Sequence, residues 1–175
     1  MPTLTNKYGL PEAILTALKR DDYDAGDSDI TCTQLGNPPQ LVALVGKHGE
    51  SRDASEMLWA LMGKAMHKVL EIAGEKSGDW TETRLFTKVH GWTVSGAYDV
   101  FDPKTSTLRD YKVCSYYAVK DGMKPEWTQQ LNTLAWLMAD QDIPVMVQHL
   151  QIVTLFRDWT ASGAERSGDY PSAPI

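Results

Sequence analysis

Two long stretches of the chain carry apolar residues at helical spacing. In residues 53–71 and 126–139 these positions recur every three or four residues, which predicts amphipathic helices with one face in the core. The apolar face of the first stretch consists of Leu58, Leu61, Met62, Ala65, Val69 and Ile72, and that of the second of Trp127, Leu131, Leu134 and Met138. A shorter helix is predicted for residues 10–20, where Pro11 stands in the first turn and basic residues at the end.

The period of the pattern changes to two from residue 84 onward. Residues 84–90, 92–101 and 107–116 alternate as β-strands do, and Asp102-Pro103-Lys104 is typical of a hairpin turn between the last two. Strand character returns at residues 144–156. The order helix, helix, three strands, helix, strand predicts an α/β or α+β fold with a central mixed β-sheet flanked by helices.

The remaining segments are predicted to be irregular. Residues 21–29 form an acidic loop, residues 37–39 a proline turn before an apolar run, and residues 157–175 a polar tail rich in Gly and Pro. A chain of 175 residues has the length of one ordinary domain. We therefore expect a single domain over residues 1–175, with its core at about residues 30–156.

Composition and charge narrow the class of protein. Hydrophobic residues make up 42% of the chain and charged residues 23%, values that exclude a disordered or fibrous protein. The formal net charge of -6 argues against a nonspecific nucleic-acid coat. Lys and Arg concentrate in residues 63–124, where they either form a surface for a polyanion or reflect chance.

The cysteines and the apolar runs bear on the compartment. Cys32 and Cys114 stand far apart and outside any CxxC motif, so cysteines provide neither a zinc site nor an iron–sulfur site. No window approaches the roughly 18 consecutive apolar residues of a membrane span, and residues 1–11 lack the apolar part of a secretory signal. We expect a cytoplasmic protein in a reducing compartment, with no membrane partner.

The residues that best indicate a chemistry lie between positions 95 and 112. Asp99 stands near the end of one predicted strand, and Asp110 and Lys112 stand two positions apart on the next. Alternate residues of a strand share a face, so the hairpin brings two carboxylates and an ammonium together. Neighbouring carboxylates repel each other, and a divalent cation between them removes that difficulty.

Such oxygen ligands suit Mg²⁺ or Mn²⁺, which also bind phosphates and activate water. The lysine can then orient or deprotonate the attacking water, or neutralise the developing negative charge. Metal, water and ammonium together are typical of phosphodiester hydrolysis.

His67 lies on the first long predicted helix, about 180° from the centre of the apolar stripe. Its neighbours on the same side of the helix are Ala60, Gly63 and Glu71, a small and semi-apolar set. A helix that is apolar on both sides is expected to be covered on both sides.

Together these residues resemble the PD-(D/E)XK nuclease superfamily, in particular its RecB-type exonuclease branch and small phage-encoded members. Four motifs carry the resemblance: Asp99 followed by Asp110-Tyr111-Lys112, a helix with the metal-binding histidine His67, the glutamine motif Gln130-Leu131, and a strand–turn opening at residues 30–35. The similarity covers about residues 30–155. It implies a restriction-endonuclease-like core.

The resemblance also implies roles for the matching residues. The implied metal ligands are His67, Asp99, Asp110, the backbone carbonyl of Tyr111 and, with less support, Glu82. The implied catalytic residues are Asp99, Asp110, Lys112 and Gln130. Gln129 is an alternative to Gln130 as the residue that orients the lysine, the water or the substrate. The implied cofactor is Mg²⁺ or Mn²⁺.

The sequence departs from the branch at a few positions. Tyr98 rather than proline precedes the first aspartate, and Leu134 stands where the glutamine motif usually has an aromatic residue. Pro38 and Pro39 fall roughly where iron–sulfur members have their first cysteine, so we expect no iron–sulfur cluster. No GxxxxGK[ST] phosphate loop is found, so any ATP-driven unwinding comes from another chain.

Each of these residues also has a purely structural explanation. An Asp-x-Lys strand or a helical histidine is common in proteins without this chemistry, and only their joint order favours a nuclease. Tyr111, Tyr116 and Tyr117 could stack on bases while Lys120 and Lys124 hold phosphates. For the tyrosines, core packing is the preferred explanation.

We therefore expect a metal-dependent DNA exonuclease that acts on single-stranded or end-containing DNA in recombination, repair or phage DNA processing. The cell would be a bacterium or a phage-infected host. One alternative is a structure-specific endonuclease with the same core, and another is a non-catalytic DNA-binding or scaffold module. The acidic flanks favour protein partners or a homo-oligomer.

Overall fold

The structure is a computed structural model, and it describes residues 3–19, 26–48, 51–142, 145–166, 168 and 170–175. Arg20, residues 21–25 of the predicted acidic loop, and Pro144 of the last predicted strand segment lie outside the described residues.

The order of helices and strands agrees with the sequence pattern. The strands of the described residues are β1 (Thr3–Thr5), β2 (Ile30–Thr31), β3 (Ser51–Asp53), β4 (Trp80–Val89), β5 (Trp92–Asp102), β6 (Thr107–Cys114) and β7 (His149–Phe156). The helices are α1 (Glu12–Lys19), α2 (Cys32–Leu35), α3 (Pro39–His48), α4 (Leu58–Ser77), α5 (Pro125–Ala139) and α6 (Ala161–Arg166), with short 3-10 segments at Ala54–Met57 and Tyr116–Ala118. The three central strands and the long helices are thus confirmed.

The strands of the main sheet are arranged around β5. β4 pairs with it antiparallel from Trp80↔Phe101 to Val89↔Trp92, so β4 occupies one edge along almost the whole length of β5. β2 and β6 share the other edge, β2 parallel and β6 antiparallel. β7 runs parallel to β6 along its whole length. Because helices α4 and α5 pack on this sheet, the predicted α+β fold with a mixed central sheet flanked by helices is confirmed.

β5 and β6 separate just after their paired residues. The pairs run from Asp102↔Thr107 to Val100↔Arg109, and β2 occupies the same edge of β5 only at residues 94–95. Between these two contacts, the backbone N–H of Tyr111 donates to Oδ2 of Asp99 at 2.7 Å. We call this opening, formed by Asp99 of β5 and residues 110–112 of β6, the strand fork.

Helix α5 supplies most of its side of the core. Its buried residues are Leu131, Leu134, Leu137 and Met138. They pack in one cluster with Val94, Tyr98, Phe101 and Leu108 of the sheet. Gly96 allows this close approach, since a Cβ there would lie 2.6 Å from Cδ2 of Leu134. Burial of each such side chain contributes roughly 1.5–3 kcal/mol.

Helix α4 contradicts the prediction about its buried face. Met62, Val69 and Ile72, which were expected in the core, are exposed, Val69 by 62%. The side with His67 and Gly74 packs on the strands instead, because a Cβ at Gly74 would lie only 2.9 Å from Cγ2 of Thr81. The apolar periodicity failed to identify the inward face of α4 because that face carries small and polar residues.

None of the helices in the described residues combines the length and the apolar character of a membrane span.

The tail after β7 is more regular than the sequence predicted. It contains α6, and of two hydrogen bonds one joins it to β7 and the other lies within it. The N–H of Phe156 donates to the carbonyl of Pro174, and the indole N–H of Trp159 donates to the carbonyl of Pro171, both at 2.8 Å.

Asp53 connects the N-terminus to the start of α4. β1 and β3 pair in parallel as a separate two-stranded sheet. The carboxylate of Asp53, which is 5% exposed, accepts hydrogen bonds from the hydroxyls of Thr5 and Ser55 and from the amides of Lys7 and Ser55. These bonds hold the pKa of Asp53 well below its usual range.

Candidate metal centre

Three side chains from three elements converge beside the strand fork. His67 projects from α4, Glu82 from β4 and Asp99 from β5, and one ligand atom of each lies within 4.8 Å of the other two. Nδ1 of His67 lies 3.3 Å from Oδ2 of Asp99 and 3.9 Å from Oε1 of Glu82. The cluster therefore exists only when helix and strands are packed together.

Glu82 reaches the cluster through a strained backbone. The sequence predicted that the strand starts at Arg84, but β4 starts at Trp80, so Glu82 lies inside the strand. The pairs on either side of it, Thr81↔Val100 and Thr83↔Tyr98, place Glu82 opposite Asp99. Its φ of 41° is left-handed, which costs a residue with a Cβ roughly 1–2 kcal/mol. The strain thus lies where a second carboxylate joins Asp99.

Asp99 is held by the neighbouring strand. Its Oδ2 accepts the hydrogen bond from the amide of Tyr111 and also faces His67. Tyr111 therefore contacts the cluster through its amide, whereas the resemblance implied a role for its carbonyl.

Asp110 and Lys112 form an ion pair on β6, on one face as the strand alternation predicted. Nζ of Lys112 donates to Oδ1 of Asp110 at 2.9 Å. Oδ2 lies 2.8 Å from the same nitrogen, but it has no hydrogen-bond partner of suitable geometry among the described residues. Asp110 is only 4% exposed, so the fold buries this carboxylate against the ammonium of Lys112.

The two candidate glutamines have different neighbours. Oε1 of Gln130 lies 3.5 Å from Nζ of Lys112. The side-chain amide of Gln129 donates instead to the carbonyl of Leu35 at 3.2 Å. Of the two, Gln130 is the residue that the structure brings to the lysine.

Partial burial and neighbouring charges shift the pKa values of three groups at the site. The hydrogen bond to Asp99 raises the pKa of His67, and the charges of Asp99 and Glu82 add to the effect. Burial raises the pKa of Asp110, and Lys112 opposes that rise. Burial and the charge of Asp99 also raise the pKa of Glu82. Burial is thus the main cause of both rises in carboxyl pKa, and a bound cation would oppose it by favouring the charged form.

These residues fit a divalent metal ion. They offer hard carboxylate oxygens and one imidazole nitrogen, a donor set that suits Mg²⁺ or Mn²⁺. Oδ2 of Asp110 accepts no hydrogen bond of suitable geometry among the described residues, although it lies 2.8 Å from Nζ of Lys112. Among the described residues, however, the compact group is His67, Glu82 and Asp99. Asp110 lies beside this group, with its carboxylate on Lys112.

The four predicted DNA contacts lie after β6. The ring of Tyr116 packs against the rings of Tyr117, Phe156 and Tyr170, so its position is explained by packing. Tyr117 is 65% exposed. Nζ of Lys120 lies 6.0 Å from the centre of the Tyr117 ring, and Lys124 contacts Trp127 in the same way at 5.2 Å.

Sequence reasoning missed one further contact at this end of the sheet. The guanidinium of Arg157 lies 4.4 Å from the ring centre of Trp59. Trp59 is one of many residues in the helical pattern of residues 53–71, and Arg157 begins a segment that was expected to be irregular. Neither position indicates a site by itself. Since the two are far apart in the chain, only the fold reveals their contact.

Comparison with known proteins shows the fold of this chain and nothing finer. No family model matches the chain, and no curated protein matches it. Among solved structures, the crystal structure of SSO0001 is similar over 81% of this chain and 69% of its own, with a TM-score of 0.57 and 18% sequence identity.

Proposed function

We propose that this protein is a metal-dependent DNA nuclease of the PD-(D/E)XK type. The observation that carries the proposal is the convergence of His67, Glu82 and Asp99 beside a lysine–carboxylate pair, Lys112 and Asp110, at one strand fork. The proposal is supported by the closeness of His67 to Asp99 and of Asp110 to Lys112, four residues that carry the sequence resemblance. Phosphodiester hydrolysis uses such a combination of hard ligands and a fixed ammonium.

When bound at these residues, Mg²⁺ or Mn²⁺ would stabilise charge on a phosphoryl oxygen and lower the pKa of a bound water. The chain's own contribution is to hold the ligands in place. Asp99 is fixed by the amide of Tyr111, and His67 is fixed against Asp99. This order exists before substrate arrives, so little reorganisation is needed during the reaction.

Lys112 supplies a positive charge at a defined place. Asp110 holds its ammonium at 2.8–2.9 Å, and Gln130 lies 3.5 Å away on a different element. A charge held on two sides can neutralise the negative charge that develops on the phosphate oxygens in the transition state. Gln130 acts through the lysine and is therefore a positioning residue.

The test of this function is digestion of 5′-labelled single-stranded DNA with Mn²⁺. We expect Asp110→Asn and Lys112→Ala each to reduce the rate by about 100-fold or more, as loss of one preorganised electrostatic group does. Asp140→Asn and Lys88→Ala are matched controls at exposed positions outside the site, and they should cut at the natural rate. Equal rates in all five proteins would refute the proposal.

The form of nuclease that we propose is an exonuclease, which requires a DNA end. A linear single strand should be degraded while a closed single-stranded circle stays intact. Cutting of the circle at a similar rate would instead identify an endonuclease with the same residues. Binding in Ca²⁺ without any cutting in Mn²⁺ would indicate a DNA-binding module and contradict the enzyme.

A further inference from the structure

Three cation–aromatic pairs lie at one end of the domain. They are Arg157 with Trp59, Lys120 with Tyr117, and Lys124 with Trp127, at 4.4, 6.0 and 5.2 Å from cation to ring centre. We call these six residues the cation–aromatic rim. They come from four parts of the chain: α4, the segment after β6, α5 and the residue after β7.

The rim lies beyond the end of β6, the strand that carries Asp110 and Lys112 of the strand fork. Tyr117 is five residues beyond Lys112, and five residues span at most about 18 Å. The N–H of Arg157 donates to the carbonyl of Cys114 at the end of β6, at 3.0 Å. Lys124 and Arg157 are both close enough to Cys114 to counteract the rise in the pKa of its thiol that burial causes. Arg157 and Lys124 therefore lie near the end of β6, beyond Lys112.

The fold holds Tyr117 exposed instead of burying it. Ser115, directly after β6, donates to the carboxylate of Asp158 at 2.5 Å, and the amide of Tyr116 donates to the same carboxylate at 3.0 Å. Tyr116 is packed against other rings, whereas its neighbour Tyr117 is 65% exposed. The anchored segment thus leaves most of the Tyr117 ring exposed to solvent, with Lys120 near it. Trp59 is likewise 48% exposed.

Flat exposed rings and nearby cations are complementary to one class of ligand. Unstacked bases lie on aromatic rings, and the phosphates between them attract Lys and Arg. A duplex keeps its bases stacked on each other, so it could use the cations but not the rings. We propose that the cation–aromatic rim binds single-stranded DNA and leads it to the strand fork. This inference rests on the proposed nuclease function only in that the bound strand is the substrate.

The experiment measures binding without cutting. Fluorescence anisotropy with a labelled oligothymidylate in Ca²⁺ gives the Kd of the natural protein, Tyr117→Ala and Trp59→Ala. We expect each variant to bind roughly 5- to 150-fold more weakly, the range for loss of one stacked base. Tyr8→Ala and Trp92→Ala are matched controls, since both rings are exposed elsewhere, by 76% and 59%, and their Kd should stay within twofold.

Salt dependence tests the cations separately. Combining Lys120→Gln, Lys124→Gln and Arg157→Gln should flatten the plot of log K against log salt by about 2, at roughly 0.7 per lost phosphate contact. Circular dichroism melting of each variant ensures that binding is compared between folded proteins.

The outcomes separate this inference from the proposed function. Three results would each overturn the proposed DNA binding by the rim. They are a Kd of Tyr117→Ala and Trp59→Ala equal to that of the natural protein, an unchanged salt slope in the triple variant, or equal affinity of the natural protein for duplex DNA. DNA cutting by a protein with any of these results would leave the nuclease intact. Weakened binding in the rim variants of a protein that never cuts would support the rim and refute the nuclease.

Discussion

Helices α4 and α5 pack on the same sheet with opposite kinds of surface. α5 buries leucines against β5, where Gly96 lets them approach closely. α4 presents His67 and Gly74 to the strands and leaves Met62, Val69 and Ile72 exposed. The comparison suggests that α5 provides stability, while α4 gives up apolar burial and brings His67 to Glu82 and Asp99.

The largest expected effect comes from the α5 side. Leu134→Ala should lower the free energy of unfolding by about 2–5 kcal/mol, the range for a buried leucine. Leu150→Ala, at a position 42% exposed on β7, should cost less than about 1 kcal/mol. Urea unfolding measures both. In folded Leu134→Ala protein the Mn²⁺ affinity should be unchanged, and a loss of affinity would break the division between the helices.

The next largest change in stability is expected where α4 packs closely against β4. Gly74→Ala should destabilise by about 1–3 kcal/mol through the contact with Thr81, despite the helix preference of alanine. Gly63→Ala is the matched control on the same helix, because nothing lies within 4 Å of its added Cβ. It should stabilise by up to about 1 kcal/mol.

A thermal melt of the pair Gly74→Ala and Thr81→Ser sharpens this prediction. Serine lacks Cγ2, so the double variant should regain the stability lost in Gly74→Ala. Failure to regain it would mean that the helix is not held against β4 by this contact.

The pH dependence of metal binding should follow His67. Asp99 raises the pKa of this imidazole, and the ring must lose its proton to bind a metal. Mn²⁺ affinity should therefore rise with pH, by up to about tenfold per unit below that raised pKa, and then level off. Calorimetry at several pH values measures the rise. It should be absent in His67→Gln, and a rise of the same size in that variant would point to another group.

The raised pKa of His67 also makes the stability of the metal-free protein depend on pH. A raised pKa means that the folded protein binds the proton more tightly than the unfolded chain. The stabilisation is therefore full below the unfolded pKa of about 6.5 and is lost as pH rises through the folded value.

The smallest effect should come from Glu82. Glu82→Gly removes a left-handed residue with a Cβ and should raise the free energy of unfolding by up to about 1 kcal/mol. Ser106→Gly, at φ 54° in the β5–β6 turn, is the control for backbone relief. Mn²⁺ affinity should fall only in Glu82→Gly. If it fell equally in both, the carboxylate would have no part in the site.

The sequence was sufficient for the presence of the central strands and for the residues that a strand places side by side. Asp110 and Lys112 share a face because alternation is a local property, and the 102–104 turn fixed how β5 meets β6. Gln130 could be proposed from its place on α5, although only packing distinguished it from Gln129.

What could not be predicted depends on contacts between distant elements. The buried face of α4 follows from the space beside Thr81 and from the site, neither of which hydrophobicity records. The position of Glu82 opposite Asp99 required the true start of β4. The pairing of Arg157 with Trp59 required the whole fold.

The hydrogen bond between Tyr111 and Asp99 has a consequence for mutagenesis. The carboxylate of Asp99 accepts a hydrogen bond from the β6 backbone at a point where the backbones of β5 and β6 no longer pair, so it forms a side-chain rung between the strands. It is also a candidate metal ligand. Loss of activity on changing it would therefore mix altered strand geometry with lost coordination. The side chain of Lys112 closes no such rung, so a change there leaves strand pairing intact, and a melt then has to separate lost chemistry from the loss of the counter-ion of Asp110.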